Sequence, residues 1–151
     1  MSLSRVSCHI NAPRTAVYRV LLDPLAIAQW RVPDDMTCRV HDFNVREGGT
    51  FRVSLTYSSN AAGKTSGNTD TYHGHFVKLV PDELVVESVE FETADPSMQG
   101  QMTITTTLKD AGGGTDVLIA YDGLPSGISV TDNEAGTRMA LEKLAVLAAK
   151  N

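Results

Sequence analysis

The chain has 151 residues, of which 42% are hydrophobic, so it expects one domain over residues 1–151: two independent cores would leave roughly 75 residues each, near the lower limit for unassisted folding. Eighteen acidic against thirteen basic side chains give a formal charge of −5, and no run of Lys or Arg interrupts it, which argues against nucleic acid or an anionic membrane surface as partner. The longest apolar run, Leu144 to Ala149, is far too short to span a bilayer, and residues 1–5 lack a basic, apolar leader, so cytoplasm is the expected compartment and Cys8 and Cys38 are expected to be reduced thiols.

Residues 3–10 alternate, with Val6, Cys8 and Ile10 on one side and Arg5, Ser7 and His9 on the other, the period of a half-buried strand. Pro13 opens a short helix to Leu22 with Val17, Val20 and Leu21 at helical spacing. Asp23-Pro24 then caps and restarts a second one that ends at Trp30. Thr37 to Arg46 and Phe51 to Tyr57 read as strands joined at Glu47-Gly48-Gly49, a turn that needs a positive φ. The small, polar, aperiodic stretch 58–68 reads as an exposed loop.

Thr69 to Val80, Glu83 to Glu92, Gln101 to Lys109 and Thr115 to Tyr121 are four more strands, separated by Pro81-Asp82, Ala94-Asp95-Pro96 and Gly112-Gly113-Gly114. Thr131 followed by Glu134 has capping-box spacing for a terminal helix to about Ala149, with Ala140, Leu141, Leu144, Leu147 and Ala148 on one arc. The pattern predicts an α+β fold: a curved antiparallel sheet of about seven strands wrapped on a long C-terminal helix, with two short helices after the first strand. Sheet and helix in that arrangement enclose a space suited to a small molecule.

This order is that of the helix-grip fold. The segment Asn11 to Arg19, Asp23-Pro24 and Trp30 resemble the start of the family homologous to the activator of heat-shock protein 90 ATPase, within the START-like, polyketide cyclase and lipid-transport superfamily. Arg46-Glu47-Gly48-Gly49, the run from Gly74 through Pro81 to Val86, Gly114 to Val117, Asp132 to Gly136 and Leu141 to Leu144 agree with it in order. The resemblance implies the fold and a habit of binding hydrophobic ligands, and it transfers no catalytic residue. It departs at Thr137, where these proteins often carry Trp, so the cavity near that position is expected to differ. In eukaryotic activators this domain accompanies a separate chaperone-binding domain, for which these 151 residues are not expected to leave room. The superfamily admits a homodimer, and no sequence feature establishes one.

Catalytic signatures such as a phosphate loop, a Gly-x-Ser-x-Gly elbow, His-Glu-x-x-His or Cys-x-x-Cys are absent, and no cofactor is implied. His73 and His75 share a strand face and would need a third ligand from His9, His41 or Glu87 to hold a metal; the expectation is rim histidines and no metal. Cys8 reads as a small buried hydrophobe. Glu90 and Glu92 read as a solvated face and Glu87 as an inward polar anchor.

The residues expected to line a ligand pocket are Trp30, Tyr57, Tyr72, His75, Glu87, Phe91, Met102, Tyr121 and Met139, with Trp30 at its mouth. The leading expectation is a binding protein for a hydrophobic or amphipathic small molecule. The alternatives are a cyclase or aromatase in which Tyr57, Tyr121, His75 and Glu87 converge to move a proton, and a modulator of a chaperone ATPase.

Overall fold

The structure is a computed structural model that describes residues 2–33, 36–57 and 69–150; the loop expected over 58–68 lies outside the described residues. The elements run β1 (Ser2–Ile10), α1 (Arg14–Leu21), α2 (Pro24–Trp30), β2 (Met36–Phe43), β3 (Thr50–Tyr57), β4 (Thr69–Val80), β5 (Leu84–Phe91), β6 (Met102–Ala111), β7 (Gly114–Leu124) and α3 (Val130–Ala149). A single 3₁₀ turn, Pro96–Met98, lies between β5 and β6. All seven strands form one antiparallel sheet in the order β1-β7-β6-β5-β4-β3-β2. Consecutive hairpins build β2 to β7, and β1 joins the sheet beside the last strand. This curved sheet with its long helix is the helix-grip arrangement.

Local chemistry explains the joints. Asp23 Oδ1 accepts the Leu25 N–H at 2.9 Å and Pro24 occupies the first helical position, which together start α2. Gly112 and Gly113 have φ of +56° and +85° between the paired residues Ala111 and Gly114. That is the two-residue hairpin turn whose twist suits the flanking strands and whose backbone disfavours a Cβ.

The helix α3 begins earlier than expected. Ser129 is its cap, with Oγ accepting the Asp132 N–H at 3.0 Å, so the operative pair is Ser129 and Asp132 and not Thr131 and Glu134. Strand β2 also ends earlier, at Phe43, and β7 extends beyond Tyr121 to Leu124.

The buried arc of α3, Thr137, Leu141, Leu144 and Ala148, packs on β1 and against α1 and α2. Inward residues at alternate strand positions complete the core: Val6 and Ile10 of β1, Val117 and Ile119 of β7, Ile104 and Leu108 of β6, Val85 and Val89 of β5, and Phe51 and Val53 of β3. Phe76, Phe51, Phe43 and Tyr72 form an aromatic cluster with ring centroids 5.1 to 6.3 Å apart. No helix among the described residues is long and apolar enough to cross a membrane.

A cavity with a buried ion pair at its wall

Beside Tyr72, at the edge of the aromatic cluster, sheet and helix do not close on one another. A cavity of about 290 Å³ remains there. Its sheet side is formed by Leu55, Tyr57, Tyr72, Val89, Phe91, Met102, Ile104 and Tyr121, and its helix side by Asn133, Gly136, Thr137 and Ala140. The strands deliver these side chains because residues two apart share a face and register aligns them: Tyr72 lies opposite Phe91 and Ile104 opposite Tyr121. Thr137 lines the cavity, and its Oγ donates to the Asn133 carbonyl at 2.7 Å.

Of the residues expected to line a pocket, Tyr57, Tyr72, Phe91, Met102 and Tyr121 border this one. Trp30, Glu87, Met139 and His75 do not. Trp30 ends α2 as expected, yet it is 3% exposed and its Nε1 has no hydrogen-bond partner, so it belongs to the core and not to a mouth. His75 is exposed on the opposite, convex face, where it and His73 border a separate polar depression of about 340 Å³ with Thr50, Ser88 and Glu90. The convergence of Tyr57, Tyr121, His75 and Glu87 required for a proton-shuttling cyclase therefore does not form.

Glu87 turns inward from β5, and its partner is a residue the sequence reading missed. Arg31, the C-cap of α2, places Nη1 3.1 and 2.9 Å from the two Glu87 carboxylate oxygens, with the side chains 19% and 5% exposed. Arg31 borders the cavity. Two contacts hold it, the ion pair and the Trp30 ring 5.8 Å from its guanidinium carbon, and next to it Lys143 Nζ donates to the Val32 carbonyl at 2.7 Å, which ties α3 to the segment after α2.

Burial alone would make the Arg31 guanidinium easier to deprotonate. The Glu87 charge, the neighbouring Tyr72 and Tyr121 and the hydrogen bond to Glu87 together outweigh this and hold the group firmly cationic. Burial pushes the Tyr72 hydroxyl well above its usual range despite the opposing pull of Arg31, so it remains a neutral phenol that donates and accepts. Asp70, 2% exposed, accepts from the Tyr57 hydroxyl at 3.3 Å at the β3–β4 side.

Elsewhere the candidate groups are occupied. His73 has its two ring nitrogens 3.0 and 2.9 Å from Glu92 and Glu90, while Arg52 donates to Glu92 at 2.8 and 2.9 Å. Among the described residues no three His, Cys, Asp or Glu side chains stand where they would hold a metal ion. Cys8 is half-buried, and burial, with the Asp116 charge, raises its thiol, the reverse of what a nucleophile needs.

Solved structures share this architecture. A crystal structure of a protein from Chromobacterium violaceum is 30% identical, covers 97% of this chain and 96% of its own, and superposes with a TM-score of 0.87. A Rhodobacter sphaeroides protein is 18% identical over 99% of this chain and 93% of its own, with a TM-score of 0.81. An AHSA1-like protein from Aeromonas hydrophila is 16% identical over 99% and 93%, with a TM-score of 0.74. No curated protein matches the chain. The START-like fold they share is in general a ligand-binding one. The sequence pattern of the Activator of Hsp90 ATPase homolog 1-like proteins matches residues 11–149, and with the seven-stranded grip around α3 this places the chain in that family.

Proposed function

We propose that this protein binds a hydrophobic or amphipathic small molecule between the sheet and α3. The observation that carries the reading is the unfilled cavity, bordered mainly by apolar side chains, in a molecule whose interior is otherwise packed with fully buried residues such as Leu144, Val117 and Phe51. Interiors of this kind hold few voids larger than a water, so a space of about 290 Å³ in a ligand-binding fold is a site by shape.

Its size bounds the occupant. The volume lies near the lower end of the range for small-molecule sites, about 300–1,000 Å³. A space at that end of the range suits one or two rings or a short chain.

Thr137→Trp tests the reading by filling the cavity from the helix side with a bulky apolar ring. Native mass spectrometry of the purified wild type is expected to show a bound small molecule or, after extraction, uptake of an apolar bicyclic compound. The variant, with an unchanged circular dichroism spectrum, is expected to show neither. A wild-type protein that neither carries nor takes up such a molecule ends the proposal.

A further inference from the structure

This inference rests on the cavity being the binding site and concerns the chemistry of its occupant. Arg31 directs one nitrogen, Nη1, at both Glu87 oxygens, and its Nε and Nη2 have no partner among the described residues. The hydroxyls of Tyr72 and Tyr121, which border the same cavity, have none either. The sheet brings these groups together: Tyr121 is paired with Ile104 and Ile104 with Glu87, so Tyr121 lies two strands, about 10 Å, from the carboxylate that anchors Arg31. Sheltered N–H and O–H donors are ordinarily paired. Three side chains with donors to spare at one wall of an apolar space call for an acceptor oxygen.

Charge decides what kind. The Arg31 and Glu87 charges cancel, and Arg31 is the only cation among the described residues that border the cavity. A carboxylate or phosphate ligand would meet no uncompensated cation among the described residues that border the cavity. Desolvating such an ion without a countercharge costs several kcal/mol. A cationic ligand would leave the Arg31 and tyrosine donors facing a positive charge. A neutral carbonyl accepts those hydrogen bonds with no charge to compensate. On the helix wall Asn133 Oδ1, buried and unpartnered, is an acceptor and offers an anion's oxygen no hydrogen bond.

We propose that the cavity selects a neutral, largely apolar molecule with a carbonyl oxygen of the ketone, ester or quinone kind, held by Arg31 with the Tyr72 and Tyr121 hydroxyls.

The test uses three near-isosteric probes, 2-ethylnaphthalene, methyl 2-naphthyl ketone and 2-naphthoate, titrated into the full chain and followed by amide chemical shifts of cavity residues. The ketone is expected to bind roughly tenfold to a hundredfold tighter than the hydrocarbon, the range for one or two hydrogen bonds with a charged donor among them, and the naphthoate weakest of the three. A Tyr72→Phe/Tyr121→Phe variant removes two hydroxyls that hold nothing else, so it is expected to fold normally. It should cut the ratio of ketone to hydrocarbon affinity at least threefold. If the hydrocarbon binds as tightly as the ketone, if the naphthoate binds best, or if the variant keeps the full ketone advantage, this inference is overturned and the cavity reading stands. If neither hydrocarbon nor ketone shifts any cavity residue, the cavity reading itself falls.

Discussion

Replacing Arg31 with Met removes one half of an ion pair whose other half, Glu87, is 3% exposed and has no other side-chain partner among the described residues. A buried carboxylate left alone must either stay charged in an apolar wall or take up a proton. The measured cost of breaking such pairs is about 3–5 kcal/mol. Against a total stability of about 5–15 kcal/mol this is a large fraction, and at about 2–4 °C per kcal/mol for a domain of this size it lowers the melting temperature by about 6–20 °C. Urea unfolding followed by far-ultraviolet circular dichroism gives the free energy. The fluorescence of Trp30, the chain's only tryptophan, reports the same region because its ring lies 5.8 Å from the Arg31 guanidinium carbon. Glu87→Leu should cost a similar amount by stranding the guanidinium. The double variant Arg31→Met/Glu87→Leu should recover most of the loss, because apolar residues of similar volume often substitute for a buried pair at little cost. Two single variants each within 1 kcal/mol of wild type, or a double variant whose loss equals the sum of the singles, would refute the reasoning that the two groups compensate one another in a desolvated wall.

Three further outcomes follow from local geometry. Ser129→Ala should destabilise the protein by about 0.5–2 kcal/mol in urea melts while Thr131→Ala changes little, since only Ser129 caps α3; the reverse order would move the cap. Gly113→Ala, at φ +85°, should cost about 1–2 kcal/mol, whereas a surface alanine substitution away from such a backbone should lie within about 0.5 kcal/mol. Hydrogen bonds from Arg52, with further help from His73, hold the Glu92 carboxyl down at about 2 from its usual 4.5. Its contribution is therefore fully present above pH 4.5 and lost as pH falls through about 2. Glu92→Gln should be less stable than wild type by up to about 1 kcal/mol at pH 6, as for an exposed pair, with the gap closing toward pH 2; a gap unchanged by pH contradicts this ion-pair role.

The fold was legible because its signals are local. The alternation of Phe51, Val53, Leu55 and Tyr57, the Gly112-Gly113 turn and the Asp23-Pro24 start each act within a few residues, and the structure uses them as read. The start of α3 was misread because Ser129-x-x-Asp132 and Thr131-x-x-Glu134 satisfy one spacing rule, and only the path of the chain leaving β7 decides between them. For the cavity, parity was the available discriminator. Tyr72 and His75 are three apart on β4, and the strand's irregularity comes only at Phe76/Lys78, so the two side chains face opposite sides of the sheet and cannot share a site.

Arg31 escaped detection for a different reason. A cation directly after a short helix ordinarily reads as solvated, and its partner lies 56 residues away, so nothing local marks the pair. Yet the chain carries a signal: Glu87 stands between Val85 and Val89 on the inward face of β5, and a carboxylate there demands a cation. Since apolar side chains of similar volume would hold the wall about as well, packing alone does not account for a guanidinium with two nitrogens, and beside it two tyrosine hydroxyls, that have no partner among the described residues. Glu87 is therefore better understood as the group that lets a charged, multidentate donor sit in an apolar wall with its net charge cancelled, so that what the cavity offers a ligand is hydrogen bonds and not an electric field.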